Sequence, residues 1–362
     1  MKENQSRIID VIDDMCQTKN ALFRMVRNVR DIMSCNVKTL TLDDTIQTCL
    51  EIMTENNIRH IPVLDITAEK ENKPYFVGIV SQRDVFRQIS PYLGKSTKVD
   101  SDSMALQQLL VQIVTRKPKS ASPETPIQDV TKMMVENRVD SVPVIYDNDL
   151  VGIVTATDVL KLFVKLHEIG RQSEEKPSSE PKRRFVDLLA GNSDKALWAL
   201  SSVLGTVKDI MTDQVVSLQE QDDLGKVMKV IQKGKFRHVP IVNDQNELIG
   251  IISDRDVLRV LPFRKGQRKP QSDVFRAELF DVDPNEPAVH QQVYRIMNRD
   301  VIHVQPVHSF YDVVKMLHDK KISCVPVTDN NNKLTGIATT TDVMRGLLAA
   351  YALFEKSEVN AK

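Results

Sequence analysis

At four places in this 362-residue chain a Gly-led apolar run ends on a serine or threonine followed three residues later by aspartate: Ser81 and Asp84, Thr155 and Asp158, Ser253 and Asp256, Thr339 and Asp342. Each pair follows a Gly-led apolar run (Gly78-Ile79-Val80, Gly152-Ile153-Val154, Gly250-Ile251-Ile252, Gly336-Ile337-Ala338), so each reads as a buried strand running into a helix. The pair can do two kinds of chemistry there. As a capping box, the hydroxyl accepts from the third helical amide and the carboxylate reaches back to the cap amide. As a ligand site, the helix N-terminus faces a phosphate while the carboxylate accepts from two vicinal ribose hydroxyls. For any single copy the cap is the default, because such boxes are common and nucleotide sites are few.

The elements around the pair decide between these readings. With Ile32, Ile113, Ile210 and Ile296 as origins, the copies are offset by 81, 178 and 264 residues, and Pro62, Pro143, Pro240 and Pro326 keep the same offsets (143 − 62 = 81, 240 − 62 = 178, 326 − 62 = 264). The aspartates are offset by 74, 172 and 258, which places a polar insertion of the first copy in Thr67 to Pro74. Each copy opens with a short strand (Val37 to Thr41, Val215 to Leu218, Val301 to Val304). An amphipathic helix with apolar residues at i, i+3, i+4 and i+7 follows, as in Ile46, Cys49, Leu50 and Met53; only Thr131 breaks the four stripes. Then come a strand, an Asp/Asn-rich turn, the Gly-led strand and a second helix. The repeat is β-α-β-β-α, an α/β (α+β) fold.

The order Asp31-Ile32-Met33-Ser34, Arg59-His60-Ile61-Pro62-Val63, Gly78-Ile79-Val80-Ser81-x-x-Asp84 resembles the cystathionine-β-synthase (CBS) domain, and four such repeats resemble two Bateman modules over about residues 29 to 354. The second copy departs from the pattern, with Gln112-Ile113-Val114-Thr115 and then Arg116-Lys117-Pro118-Lys119. A repeat of about 60 residues leaves its stripes half exposed, so repeats must pair to close a core. The resemblance implies pseudo-twofold pairs with ligand clefts between the two repeats. The expected organisation is an N-terminal helix over 1–28, a module over 29–172 (repeats 29–94 and 106–170), a linker and helix over 173–205, and a module over 206–362 (repeats 207–262 and 293–354). The modules stack either within the chain, as a four-repeat disc like the γ subunit of the AMP-activated protein kinase, or by homodimerisation.

The clefts are not equivalent. Repeats one and three carry Arg59-His60 and Arg237-His238 before the proline, whereas repeats two and four carry Asp140-Ser141 and Ser323-Cys324. Cationic donors suit phosphate, and arginine binds it bidentately. The family resemblance implies that these positions contact nucleotide phosphates. Arg83 and Arg255 lie inside the turns of the same two repeats. Asp256, in the repeat that also supplies Arg237, His238 and Arg255, is the expected best-furnished clamp.

Composition excludes other classes. With 49 basic and 49 acidic residues the chain has no net field to attract nucleic acid. The basic stretch holding Arg264, Lys265, Arg268 and Lys269 reads as a solvated loop. No apolar run approaches the roughly 20 residues that a membrane span needs. Cys16, Cys35, Cys49 and Cys324 show no ligand spacing, consistent with a reducing cytoplasm and no metal. Residues 171–184, rich in Glu, Ser, Pro and basic side chains, read as a flexible linker. No Gly-rich phosphate loop, His-Glu-x-x-His or nucleophile elbow is present, so no catalytic residue is expected. The expected function is regulatory, without catalysis or a resident cofactor. The ligand implied is an adenine nucleotide (AMP, ADP, ATP or S-adenosylmethionine), with magnesium only as a companion of ATP, and the target a regulated enzyme or transporter. The alternatives are an interaction scaffold with vestigial sites and a γ-type regulatory subunit of a kinase; a phosphotransfer or hydrolase activity stands third.

Overall fold

A computed structural model describes residues 27–66, 74–89, 106–174, 205–234, 236–260 and 290–349. The expected N-terminal helix before residue 27, the insertion over 67–73, the segment 175–204 and the basic loop after residue 260 lie outside them.

The first three repeats show the β-α-β-β-α order, and the fourth shows α-β-β-α with its opening strand reduced to a parallel bridge of Val304 with Val327. In the first, β1 (Leu40–Thr41), α1 (Ile46–Glu55), β2 (His60–Asp65), β3 (Tyr75–Ser81) and α2 (Gln82–Ile89) follow one another. The second has β4 (Thr115–Arg116), α3 (Ile127–Asn137), β5 (Ser141–Tyr146), β6 (Asp149–Thr155) and α4 (Ala156–Glu174). In the third are β7 (Leu218–Gln219), α5 (Leu224–Gly234), β8 (His238–Val242), β9 (Leu248–Ser253) and α6 (Asp254–Val260). The fourth has α7 (Phe310–Asp319), β10 (Cys324–Thr328), β11 (Leu334–Thr339) and a closing helix over 340–349. The stripe of α1 is buried as its spacing predicts: Ile46, Cys49, Leu50 and Met53 are all under 4% exposed. Thr131, the polar exception, is also buried, and its hydroxyl is satisfied by the Ile127 carbonyl at 2.7 Å.

The opening strands are shorter than expected, and the reason is structural. The leading segment of each repeat first crosses to its partner. Ser34 bridges Ile153 of repeat two, Thr115 pairs with Ile79 of repeat one, Thr212 bridges Ile337 of repeat four and Asn298 bridges Ile251 of repeat three. Only then does the chain return to its own sheet, with Leu40 and Thr41 running parallel to Val63 and Leu64. The recurring glycine permits this crossing. A Cβ on Gly78 would collide with the Thr115 carbonyl, and one on Gly336 would sit 2.7 Å from Met211 Sδ. Met33, Met211 and Met297 of the Ile-Met pair all pack on a partner's glycine, and Val114 takes that place in the divergent second copy.

Repeats one and two therefore pair, as do three and four, and the two pairs also pack together within the one chain. One core joins repeats one and three through α2 and α6, where Phe86, Val257 and Leu258 are buried. A second joins repeats two and four through α4 and α7. There Phe163 meets Phe310 edge to face at 5.6 Å, and His167 stacks on Tyr311 with ring centroids 3.6 Å apart. Glu168 accepts from Lys315 Nζ at 2.7 Å beside them. Helix α4 runs to Glu174, past the expected start of the linker.

Candidate functional site

In every Ser/Thr-x-x-Asp turn the aspartate reaches back to the Ser/Thr amide, and in three of them, all but Thr155 and Asp158, the reciprocal bond that completes a capping box is formed. Ser81 donates its amide and hydroxyl to Asp84 Oδ2 at 2.9 and 2.6 Å, and the Asp84 amide donates to Ser81 Oγ at 3.2 Å. The amide and hydroxyl bonds recur for Thr155 and Asp158 at 2.8 and 2.7 Å, for Ser253 and Asp256 at 2.8 and 2.6 Å, and for Thr339 and Asp342 at 2.9 and 2.6 Å. The cap engages Oδ2 in each case, so it does not use up the carboxylate. Capping and ligand binding are compatible roles for one aspartate.

Two of the four turns open into a common space. A cavity of about 830 Å³ runs between the two modules and includes Ser81, Arg83 and Asp84 at one end and Thr339 and Asp342 at the other. The first end, cleft A, is completed by Thr115, Lys117, Pro118 and Lys119 and by Arg138 to Ser141 of repeat two. The second, cleft B, is completed by Thr212, Gln214, Val215 and Val216 and by Phe236 to His238 of repeat three. The crossing of the leading segments explains this pairing: Thr115 is held against Ile79 two residues before Ser81, and Thr212 against Ile337 two residues before Thr339.

Where the clefts meet, side chains of all four repeats converge. Arg59, His60, Arg237, His238, Asp140, Asp254 and Ser323 line this middle region. Arg237 of repeat three forms an ion pair with Asp140 of repeat two across the modules, with both side chains under 15% exposed. Ser323 Oγ of repeat four lies 3.2 Å from His238 Nε2. Burial would lift the Asp140 carboxyl, but the guanidiniums of Arg237, Arg59 and Arg83 outweigh it and hold the group below the usual carboxylate range. Burial pushes both His60 and His238 down to about 3, with flanking guanidiniums adding to the effect, so both imidazoles are neutral. Burial and the neighbouring Arg237 likewise draw Arg59 down to about 10. Burial raises Asp254, against Arg237 and Arg59. Over the whole cavity, Arg59, Arg83, Arg87, Lys117, Lys119, Arg138, Arg237 and Arg345 stand against Asp84, Asp140, Asp254 and Asp342, an excess of four positive charges (8 − 4) beside neutral histidines. Low-dielectric surroundings strengthen the attraction of such an excess for an anion.

Of the residues singled out from the sequence, Arg59, His60, Ser81, Arg83, Asp84, Arg237, His238, Thr339 and Asp342 line the cavity. Thr155, Asp158, Ser253, Arg255 and Asp256 are not part of its lining. Arg255 Nη1 instead reaches Asn57 Oδ1 at 3.2 Å across the contact of repeats one and three. The cavity groups Arg237 and His238 with Asp342 rather than with Asp256, because the stretch before β8 faces the turn of the partner repeat. Asp140, Asp254, Lys117, Lys119, Phe236 and Arg345 were not anticipated as site residues. Asp140 was within reach of the alignment: it stands 81 residues from Arg59 (140 − 59 = 81), at the position Arg237 occupies in repeat three. Arg345 Nη1 donates to Asp342 Oδ1 at 3.0 Å.

Comparison with known proteins follows the same repeats. The family model for the CBS domain matches residues 29–91, 110–165, 207–262 and 293–349. Protein MJ1404 of Methanocaldococcus jannaschii is 24% identical over 318 residues, covering 88% of this chain and 61% of its own length. A 33.4 kDa protein of Thermofilum pendens is 25% identical over 310 residues, 82% of this chain and 83% of that protein. Among solved structures, protein MJ1225 of Methanocaldococcus jannaschii superposes over 88% of this chain and 99% of its own with a TM-score of 0.63 at 19% identity, a likeness of fold. Among the described residues no helix is long and apolar enough to cross a membrane.

Proposed function

The chain belongs to the CBS domain family, and from that premise we propose that it is a regulatory protein that binds adenine nucleotides in the cavity where its four repeats meet. The observation that carries this reading is the arrangement of that cavity. Two Ser/Thr-x-x-Asp turns face a shared cavity in which eight cationic side chains cluster with four aspartates, an excess of four positive charges (8 − 4). A ribose held at Asp84 or Asp342 directs its phosphates toward that cluster, and burial of the cluster favours a ligand that brings negative charge. The protein's part in this reading is binding rather than catalysis, and magnesium enters only as the companion of ATP.

The signal follows from the Arg237–Asp140 ion pair, which ties repeat three to repeat two. An anionic ligand that engages Arg237 competes with Asp140 and changes the free energy of that tie. A ligand shifts the arrangement of the modules only by binding one arrangement more tightly than the other. The recipient of the signal is a regulated enzyme or transporter.

The test is ligand-dependent thermal stability of the full chain with AMP, ADP, ATP and S-adenosylmethionine. A ligand present at 100 times its dissociation constant adds roughly 2.7 kcal/mol of stability for one site. If none of the four shifts the transition at millimolar concentration, the interaction-scaffold reading replaces this one.

A further inference from the structure

Clefts A and B are built from matched positions, yet their chemistry differs. Arg83 and Arg87 of cleft A correspond to Thr341 and Arg345 of cleft B, because the two turns are offset by 258 residues (342 − 84 = 258). The leading segments are offset by 97 residues (212 − 115 = 97), so Lys117 and Lys119 correspond to Gln214 and Val216. Among the described residues cleft A, with Arg138, therefore presents five cations, whereas cleft B, apart from Arg237, presents Arg345 alone, which already donates to Asp342 Oδ1. The wall differs in the opposite sense. Phe236, 40% exposed, takes the place of Val139, and Val215 and Val216 extend an apolar surface beside it. Arg237 and Asp140, also matched, neutralise one another across the middle and favour neither end.

Resting on the proposed function, we infer that the two clefts take different classes of adenosine compound. Cleft A takes a polyphosphate nucleotide, whose several negative charges match Arg83, Arg87, Lys117 and Lys119. Cleft B takes an adenosine derivative of low charge, whose base and 5′ substituent lie against Phe236, Val215 and Val216. One chain thus compares two metabolite classes through the ion pair between the clefts.

Isothermal titration of the full chain with ATP and with 5′-deoxy-5′-methylthioadenosine, a neutral probe, tests the assignment. Each ligand binds in the presence of the other, and only ATP affinity falls as salt rises, since screening acts on its charges. Lys117→Gln combined with Lys119→Val, which transplants cleft B residues onto exposed positions, weakens ATP by about tenfold or more and leaves the neutral probe unchanged. Phe236→Val does the reverse, weakening the neutral probe and sparing ATP. Mutual displacement of the two ligands, or equal weakening of both by the lysine replacements, overturns the inference while leaving adenine-nucleotide binding intact. Absence of binding by both probes overturns the inference, and the proposed function falls with it only if AMP, ADP and S-adenosylmethionine also fail to bind.

Discussion

Asp84 and Asp256 cap their helices with the same geometry but differ in what lies beyond the cap. In each, the carboxylate accepts from the serine amide and hydroxyl, at 2.9 and 2.6 Å for Asp84 and at 2.8 and 2.6 Å for Asp256. Asp84 lines the cavity between the modules and Asp256 does not. Replacing either by asparagine leaves a carbonyl oxygen in place of Oδ2 and removes the charge near the helix N-terminus. The expected loss of stability is similar for both, about 0.5–1 kcal/mol. Affinity separates them. Losing a charged acceptor for ribose hydroxyls costs about 1.5–3 kcal/mol, so Asp84→Asn weakens ATP roughly 10- to 150-fold. Asp256→Asn leaves the dissociation constant within about twofold, since the altered group lies outside the cavity and a twofold change is only about 0.4 kcal/mol. Thermal unfolding without ligand and calorimetric titration on both variants supply the four numbers needed. Equal changes of affinity in the two variants, or an unchanged affinity in Asp84→Asn, would refute the assignment of the clamp to the cavity-lining turns.

Three further outcomes follow from the packing and charge. His60 and His238 are neutral when folded, with values near 3 against an ordinary 6.5, so their contribution is fully present above pH 6.5 and is lost as pH falls toward 3. Between pH 7 and 5 each costs roughly 2 kcal/mol, and a urea-denaturation series should flatten over that window when both are replaced by glutamine. Gly78→Ala forces a Cβ onto the Thr115 carbonyl and destabilises by about 1–3 kcal/mol, whereas Gly250→Ala meets only side-chain atoms of Met297 and costs less. Comparable melting temperatures for the two would count against backbone crowding as the reason for glycine. Phe163→Ala removes a fully buried ring from the contact of α4 with α7 and costs about 3–5 kcal/mol by chemical denaturation. A loss under 1 kcal/mol would mean that the core shared by repeats two and four does not hold the modules together.

Much of the local architecture was legible in the residue order because it depends on short-range periodicity. The spacing of Ile46, Cys49, Leu50 and Met53 places one apolar face on a helix, and Ser81 with Asp84 places a cap at the start of the next. Neither requires knowledge of what packs against them. Fourfold recurrence of the pattern was enough to imply the family and the repeat architecture, since a unit that cannot bury its own stripe must find a partner. What the linear order could not supply was which surfaces meet. The leading segments swap onto partner repeats, an exchange visible only when Thr115 is seen against Ile79 and Thr212 against Ile337.

That exchange decides the site. It brings Asp342, rather than Asp256, to the same cavity as Arg237 and His238, and it carries Lys117 and Lys119 to the turn of a different repeat. The ion pair of Arg237 with Asp140 joins residues 97 positions apart (237 − 140 = 97) on different modules, and its existence depends on how the cores of repeats one and three and of two and four stack. The residue types at each turn follow from local backbone demands. The charge balance of the cavity is a sum over four repeats, and only their packing determines which terms enter that sum.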